Sequence, residues 1–255
     1  MSFKIIYSPK GRAMEYADLA LNIYSFCNFS CTYCFVPNVL HKDRHEFNTV
    51  MKVRDNLLQK VEHDCQFGLF EGRRVLFCFT CDPYNDLDLE LQLTRKVMET
   101  FNRHGVNWIV LTKGGMRAAR DFDLYKSGDS FGSTLTFTST DDSRKWEPNA
   151  AVPMNRIAAL NYAHQQSIKT WVSMEPVLDP EQTLELIELT HEFVDLYKVG
   201  KLNSDNCRGS EYYEELKQIE KSIDWKGFGE RAEALLQGLG KEYYVKEDLR
   251  RLMKG

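Results

Sequence analysis

The chain has 255 residues, of which 43% are hydrophobic and 27% charged; this is one globular domain's worth of apolar surface, and it excludes a disordered or collagen-like chain. Lys and Arg number 33 against 37 Asp and Glu, a formal net charge of −4, so no overall positive field would grip a long stretch of nucleic acid, while local basic patches are compatible with that total. No run approaches the roughly 18 apolar residues of a membrane span, and the first ten residues lack the apolar core of a secretion signal, so a cytoplasmic protein with no membrane contact is expected.

Along the chain, short β-branched runs alternate with stretches of helical period. Strands are predicted at residues 19–24, 74–79, 108–111, 133–138, 170–174 and 193–199. Between them, Val50, Val53, Leu57, Leu58 and Val61, and then Leu89, Leu93, Val97 and Phe101, fall on single helix faces. Gly105 marks the end of the second of these helices and Pro153 the start of a later one. Strict alternation implies right-handed βαβ crossovers and a parallel sheet, at about 30 residues per unit. Six units fall short of the eight of a closed barrel, so the expected fold is α/β, a partial (β/α)6 TIM-like barrel with a wide lateral mouth. Residues 1–18 form an N-terminal extension and 19–200 the barrel. Residues 201–255 form a helical capping extension, with a strand-like segment at Tyr243, Tyr244 and Val245.

Seven cysteines are an odd number in a compartment that keeps thiols reduced, which favours metal or redox chemistry over disulfides. Three of them, Cys27, Cys31 and Cys34, stand in a C-x3-C-x2-C spacing just after the first predicted strand. Loops at the C-terminal ends of barrel strands build active sites. Three thiolates within eight residues can hold three corners of a [4Fe–4S] cube and leave the fourth iron open to a ligand. The competing reading is a structural zinc site in a binding module without turnover, because Cys31-x2-Cys34 and Cys78-x2-Cys81 make two C-x2-C pairs.

The cysteine spacing, with the aromatic Tyr33 before the last cysteine, resembles the radical S-adenosylmethionine (SAM) superfamily. The resemblance implies that the open iron is chelated by the amino and carboxylate groups of SAM, and that one-electron reduction yields methionine and a 5′-deoxyadenosyl radical. That radical abstracts hydrogen from substrate. Further segments occur in the order of the spore photoproduct lyase-like branch: residues 80–84, 93–95, 111–113 and 120–124, Glu147-Pro148, and residues 156–160. Cys81 stands where threonine is expected before Asp-Pro-Tyr, and Asn85 where glutamine is usual. The resemblance suggests a nucleic-acid base as substrate, with a nucleotide, peptide or small metabolite as alternatives, and a small reductant protein such as a flavodoxin or ferredoxin as electron donor. Thymine-dimer repair is not carried over, because the chain is shorter than the lyase and has no surplus of positive charge.

Other ligands to SAM should come from strand ends. Thr80 and Asp82 are candidates for its amino group, as an anion there pairs with an ammonium. Lys113, followed by Gly114 and Gly115, suits the carboxylate or a substrate phosphate. Thr138 and Ser139 could reach the ribose or the methionine carboxylate, or make local turn bonds. Glu175, extended by the following Pro176, points to the mouth as a ligand or acid/base. Lys198 suits an adenine-side or substrate-side contact, as does Lys201. Cys81 and Tyr84 are candidate hydrogen-atom relays. Cys78 is read as packing on the strand face opposite Phe77 and Phe79.

Overall fold

The computed structural model describes residues 4–68 and 70–254. Among the described residues nine strands form: β1 (Leu19–Leu21), β2 (Tyr24–Ser25), β3 (Lys52–Val53), β4 (Arg74–Phe77), β5 (Asn107–Thr112), β6 (Ser130–Thr134), β7 (Lys169–Met174), β8 (Leu196–Val199) and β9 (Glu242–Val245). Seven of them make one sheet in the order β1-β4-β5-β6-β7-β8-β9, every neighbouring pair parallel. β2 and β3 form a separate antiparallel ribbon. The ends β1 and β9 do not pair, so the barrel is partial, as its alternating runs predicted. It has seven strands rather than six, because the strand-like segment near the C-terminus joins the edge of β8.

Alternation along each strand separates two faces. Leu19, Leu21, Val75, Phe77, Trp108, Val110, Phe131, Val172, Met174, Tyr197 and Val199 enter the large core beneath the helices. Ala20, Leu76, Ile109 and Trp171 make a second, smaller cluster on the inner face, joined by Tyr7, Tyr16, Phe79, Leu111 and Leu196. Gly132 is needed there: a Cβ on it would run into the Trp171 ring. With that space free, the Trp171 indole crosses to donate from Nε1 to the Val110 carbonyl (3.1 Å) and fills the interior. The N-terminal segment also lies against the inner face, since Tyr7 and Ala20 exchange backbone hydrogen bonds at 2.8 and 2.9 Å.

Several boundaries differ from their sequence signals. β6 begins at Ser130, three residues before its predicted start, because the ladder with β5 engages Ser130-Phe131-Gly132 and the Thr-rich run after Thr134 leaves it. The helix predicted around Val53 begins at Leu57, after a left-handed Asn56 (φ 52°), and Val53 pairs with Tyr24 instead. The next helical stretch is two helices, Asp86–Leu91 and Leu93–His104, broken at left-handed Gln92. β4 stops at Phe77, so the alternation read through Cys78 does not apply: Cys78 packs in the same core as Phe77, and Phe79 turns to the inner face. No helix among the described residues is long and apolar enough to cross a membrane.

Candidate functional site

The cysteine loop leaves β2 through Phe26 and turns again at Ser30, both left-handed (φ 72° and 56°). Its backbone is tied to three neighbours. Cys27 N donates to Phe47 O (3.1 Å), Thr32 N to Trp146 O (2.9 Å), and Arg44 donates through Nη2 to Cys34 O (2.8 Å). Asn149 adds two more ties, from its backbone N to Phe29 O (3.3 Å) and from its side chain to Asn28 O (2.9 Å). The three thiols therefore sit on a fixed scaffold. Burial pushes Cys31 up to about 12, with Lys113 opposing and Glu147 adding to the shift. Burial also raises Cys34, and raises Cys27 well above the usual thiol range, where Asp82, Cys31 and Cys34 add to it. Such thiols deprotonate only against a compensating cation, which a bound metal centre provides.

Beneath the loop lies a buried polar network. Tyr33 donates its hydroxyl to Glu147 Oε1, and Arg156 donates from Nη2 to Oε2 at 2.5 Å. Thr136 and Ser143 hydroxyls complete the carboxylate at 3.3 Å each. The remaining guanidinium donors reach Thr134 O (3.1 Å) and Ala151 O (2.5 Å). Burial pushes the Glu147 carboxyl up, but the Arg156 and Lys113 charges outweigh it and hold it below its ordinary value. Glu147 and Arg156 appear in the sequence only as fragments of the ordered segments; their pairing across nine positions has no local signature.

Asp82 joins the strand ends. Its carboxylate accepts from the Thr112 hydroxyl (2.7 Å) and from the backbone N–H groups of Lys113 (2.8 Å) and Tyr84 (2.9 Å). Burial raises it despite these donors. Lys113 lies 5.5 Å from the centre of the Tyr33 ring, and its charge opposes the upward shift of Cys31 and Cys34. Thr80 is placed by its N–H donating to Asn22 Oδ1 (3.0 Å), an inner-face residue for which no sequence signal stood out. The fold thus brings Lys113 and Asp82 to the three cysteines.

The other predicted residues are elsewhere or engaged. Thr138 bonds Gln182 and Glu185, and the Ser139 hydroxyl caps the helix Thr140–Trp146. Tyr84 is a correction: it is fully buried in the outer core with Arg120 over its ring and Tyr125, Asp121 and Asp88 around it, so its phenol cannot serve as a relay at the mouth. Glu175 accepts from Arg12 (2.6 Å), Tyr16 (2.8 Å) and Lys246. Lys198 donates to the carbonyls of Glu15 (2.6 Å) and Tyr16 (3.3 Å). Lys201 is held by Leu202 O, Asn203 and Glu220.

Among the described residues no group of three or more His, Cys, Asp or Glu is gathered closely enough to hold a single metal ion. Three loop thiols, two of them under the Lys113 charge, fit a cube, whose corner irons stand apart and take one thiolate each.

Comparison with known proteins places this geometry. The family model of the radical SAM superfamily matches residues 21–194. The uncharacterized protein ORF301 of Acidianus two-tailed virus is 23% identical over 222 residues, covering 81% of this chain and 72% of that protein. Spore photoproduct lyase complexed with dinucleoside spore photoproduct superposes with a TM-score of 0.71 at 14% identity, covering 96% of this chain and 79% of the lyase. SuiB of Streptococcus suis bound to S-adenosylmethionine superposes with a TM-score of 0.60 at 10% identity, covering 89% and 46%. On the family match, with a cysteine loop that follows β2, the chain belongs to the radical SAM superfamily and is an enzyme of that class.

Proposed function

We propose that this enzyme holds a [4Fe–4S] cluster on Cys27, Cys31 and Cys34 and uses SAM to start hydrogen abstraction from a nucleic-acid base or nucleotide. The observation that carries the reading is the loop itself: three thiols on a tied backbone that follows β2, with the Lys113 charge acting on two of them. When bound, cluster and SAM supply the one-electron cleavage that generates a 5′-deoxyadenosyl radical.

The chain's own groups orient and shield. Lys113 offers its ammonium to the SAM carboxylate, a charge-assisted bond in a partly buried cleft. Thr80 and Asp82 would hold the SAM amino group, the Asp82 carboxylate supplying the anion for its ammonium. Thr138 and Ser139 would serve the ribose side, while Glu175 and Lys198, engaged by the N-terminal segment, would position that segment rather than touch substrate. Cys81, half-buried after β4, is the remaining relay candidate. The strands from β1 to β8 carry the chemistry, and the capping extension adds β9 to the β8 edge. Electrons come from a flavodoxin or ferredoxin in the cytoplasm.

Substrate class follows from the order of the lyase-like segments rather than from the fold, since the solved neighbours include a lyase with a dinucleoside and SuiB bound to its precursor peptide SuiA. The test is anaerobic reconstitution followed by iron and sulfide analysis, reduction with SAM and assay of 5′-deoxyadenosine. Cys27→Ala, Cys31→Ala and Cys34→Ala are each expected to lose the brown chromophore and the nucleoside product. Unchanged iron and cleavage in the triple variant, or colourless protein with stoichiometric zinc, would overturn the reading.

A further inference from the structure

Away from the cysteine loop, four cations gather around one hollow. The β2–β3 ribbon sets Ser25 opposite Lys52, and the chain continues to Arg54, whose N–H donates to Ile23 O (3.3 Å). Lys60 rises from the helix Leu57–Phe67. On that same helix the buried Asp64 carboxylate accepts the backbone N–H groups of Lys4, Ile5 and Ile6 at 2.7 to 3.0 Å, which fixes Lys4 against the helix. The result is a cavity of about 390 Å³ lined by Lys4, Lys52, Arg54 and Lys60 with one carboxylate, Asp55. None of the four cationic side chains makes an ion pair or a side-chain hydrogen bond among the described residues.

Four like charges held around a single lining carboxylate raise the local potential, and a concave surface focuses it on whatever enters. That holds here although the whole chain is net negative. An anion with several charges in a row relieves the repulsion at several positions at once. The apolar residues of the hollow, Ile5 and Val53, are half-buried, so no hydrophobic tip is offered to a bilayer. Ser25, in the lining of the hollow, lies two residues before Cys27, so the hollow and the cysteine loop share one stretch of chain.

We propose that this hollow binds the phosphodiester backbone of a single-stranded polynucleotide, holding it next to the catalytic mouth. The test is fluorescence anisotropy of the full-length protein with a labelled single-stranded oligonucleotide over a salt series, with no SAM or reductant, so it stands or falls apart from the cluster reading. Four neutralised phosphates give a log–log salt slope of about −3, expected to shrink to about −1.5 in Lys52→Ala/Lys60→Ala with at least about a ten-fold loss of affinity. The remote Lys226→Ala/Lys241→Ala variant should keep the wild-type slope, with circular dichroism confirming that all three proteins are folded. No oligonucleotide binding at low salt, an equal loss in the remote variant, or capture by phosphatidylserine vesicles but not by the oligonucleotide would overturn the proposal.

Discussion

At the residue scale the decisive pair is Glu147 with Arg156, both almost fully buried beneath Tyr33. Removing one partner of a buried ion pair strands the other charge, a cost of about 3–5 kcal/mol. Glu147→Gln is therefore expected to lose that much in urea unfolding, and Tyr33→Phe, which removes one hydroxyl from a carboxylate with other donors, about 1 kcal/mol. A Glu147→Gln protein within about 1 kcal/mol of wild type would show that the pair does not support the loop. The pH sign follows from the direction of the shift. The Glu147 carboxyl is held below its reference 4.5, so its contribution is complete above that pH and disappears as the pH falls through the folded value. The cysteines were legible because three ligands to one centre can lie within eight residues. Asn22, which seats both Phe79 and Thr80, was not, because an asparagine gives no periodic or spacing signal.

At the scale of elements, strands announced themselves wherever β-branched runs filled them, as in β5 and β7. β6 did not, since glycine at its centre weakens the strand signal and the stretch 133–138 that reads as β overlaps it only at Ser133 and Thr134. The reason for that glycine lies on the next strand. Trp171 occupies the space where a Gly132 side chain would project, and its indole is anchored on β5. Gly132→Ala is expected to destabilise by about 1–3 kcal/mol through overpacking, and Gly132→Ala/Trp171→Leu to recover part of that loss. Thermal melts of the single and double variants decide it: additive losses would mean that the two residues do not share the space. The break at Gln92 and the late start at Asn56 were equally hidden, because left-handed residues other than glycine leave no mark in a hydrophobic pattern.

At the scale of the whole molecule, the parallel partial barrel was readable from the strand-helix alternation, while the way its two ends are joined was not. Arg12 bridges Glu175 (2.6 Å) and Asp248 (2.7 Å), and Glu15 accepts from Tyr244 (3.1 Å) and from the Glu247 N–H (2.9 Å). These contacts link the first and last segments of the chain across the inner face, at sequence separations where charge pattern carries no information. Lys198 lies under this junction, its amine bonded to the carbonyls of Glu15 and Tyr16 and lying over the Tyr16 and Trp171 rings. Burial, then the charges of Lys246 and Arg74, lower it from 10.5 to about 8. A depressed lysine binds its proton more weakly in the folded chain than in the unfolded one. Between about pH 8 and 10.5 the unfolded state therefore holds more protons, and stability rises with pH across that window by up to about 3 kcal/mol. Below it both states are charged and the full penalty remains. Lys198→Met lacks the titration, so the melting temperature of wild type minus that of the variant should climb from pH 7.5 to pH 10. A difference that stays flat would mean that the amine is solvated, and that the N-terminal segment does not close over it.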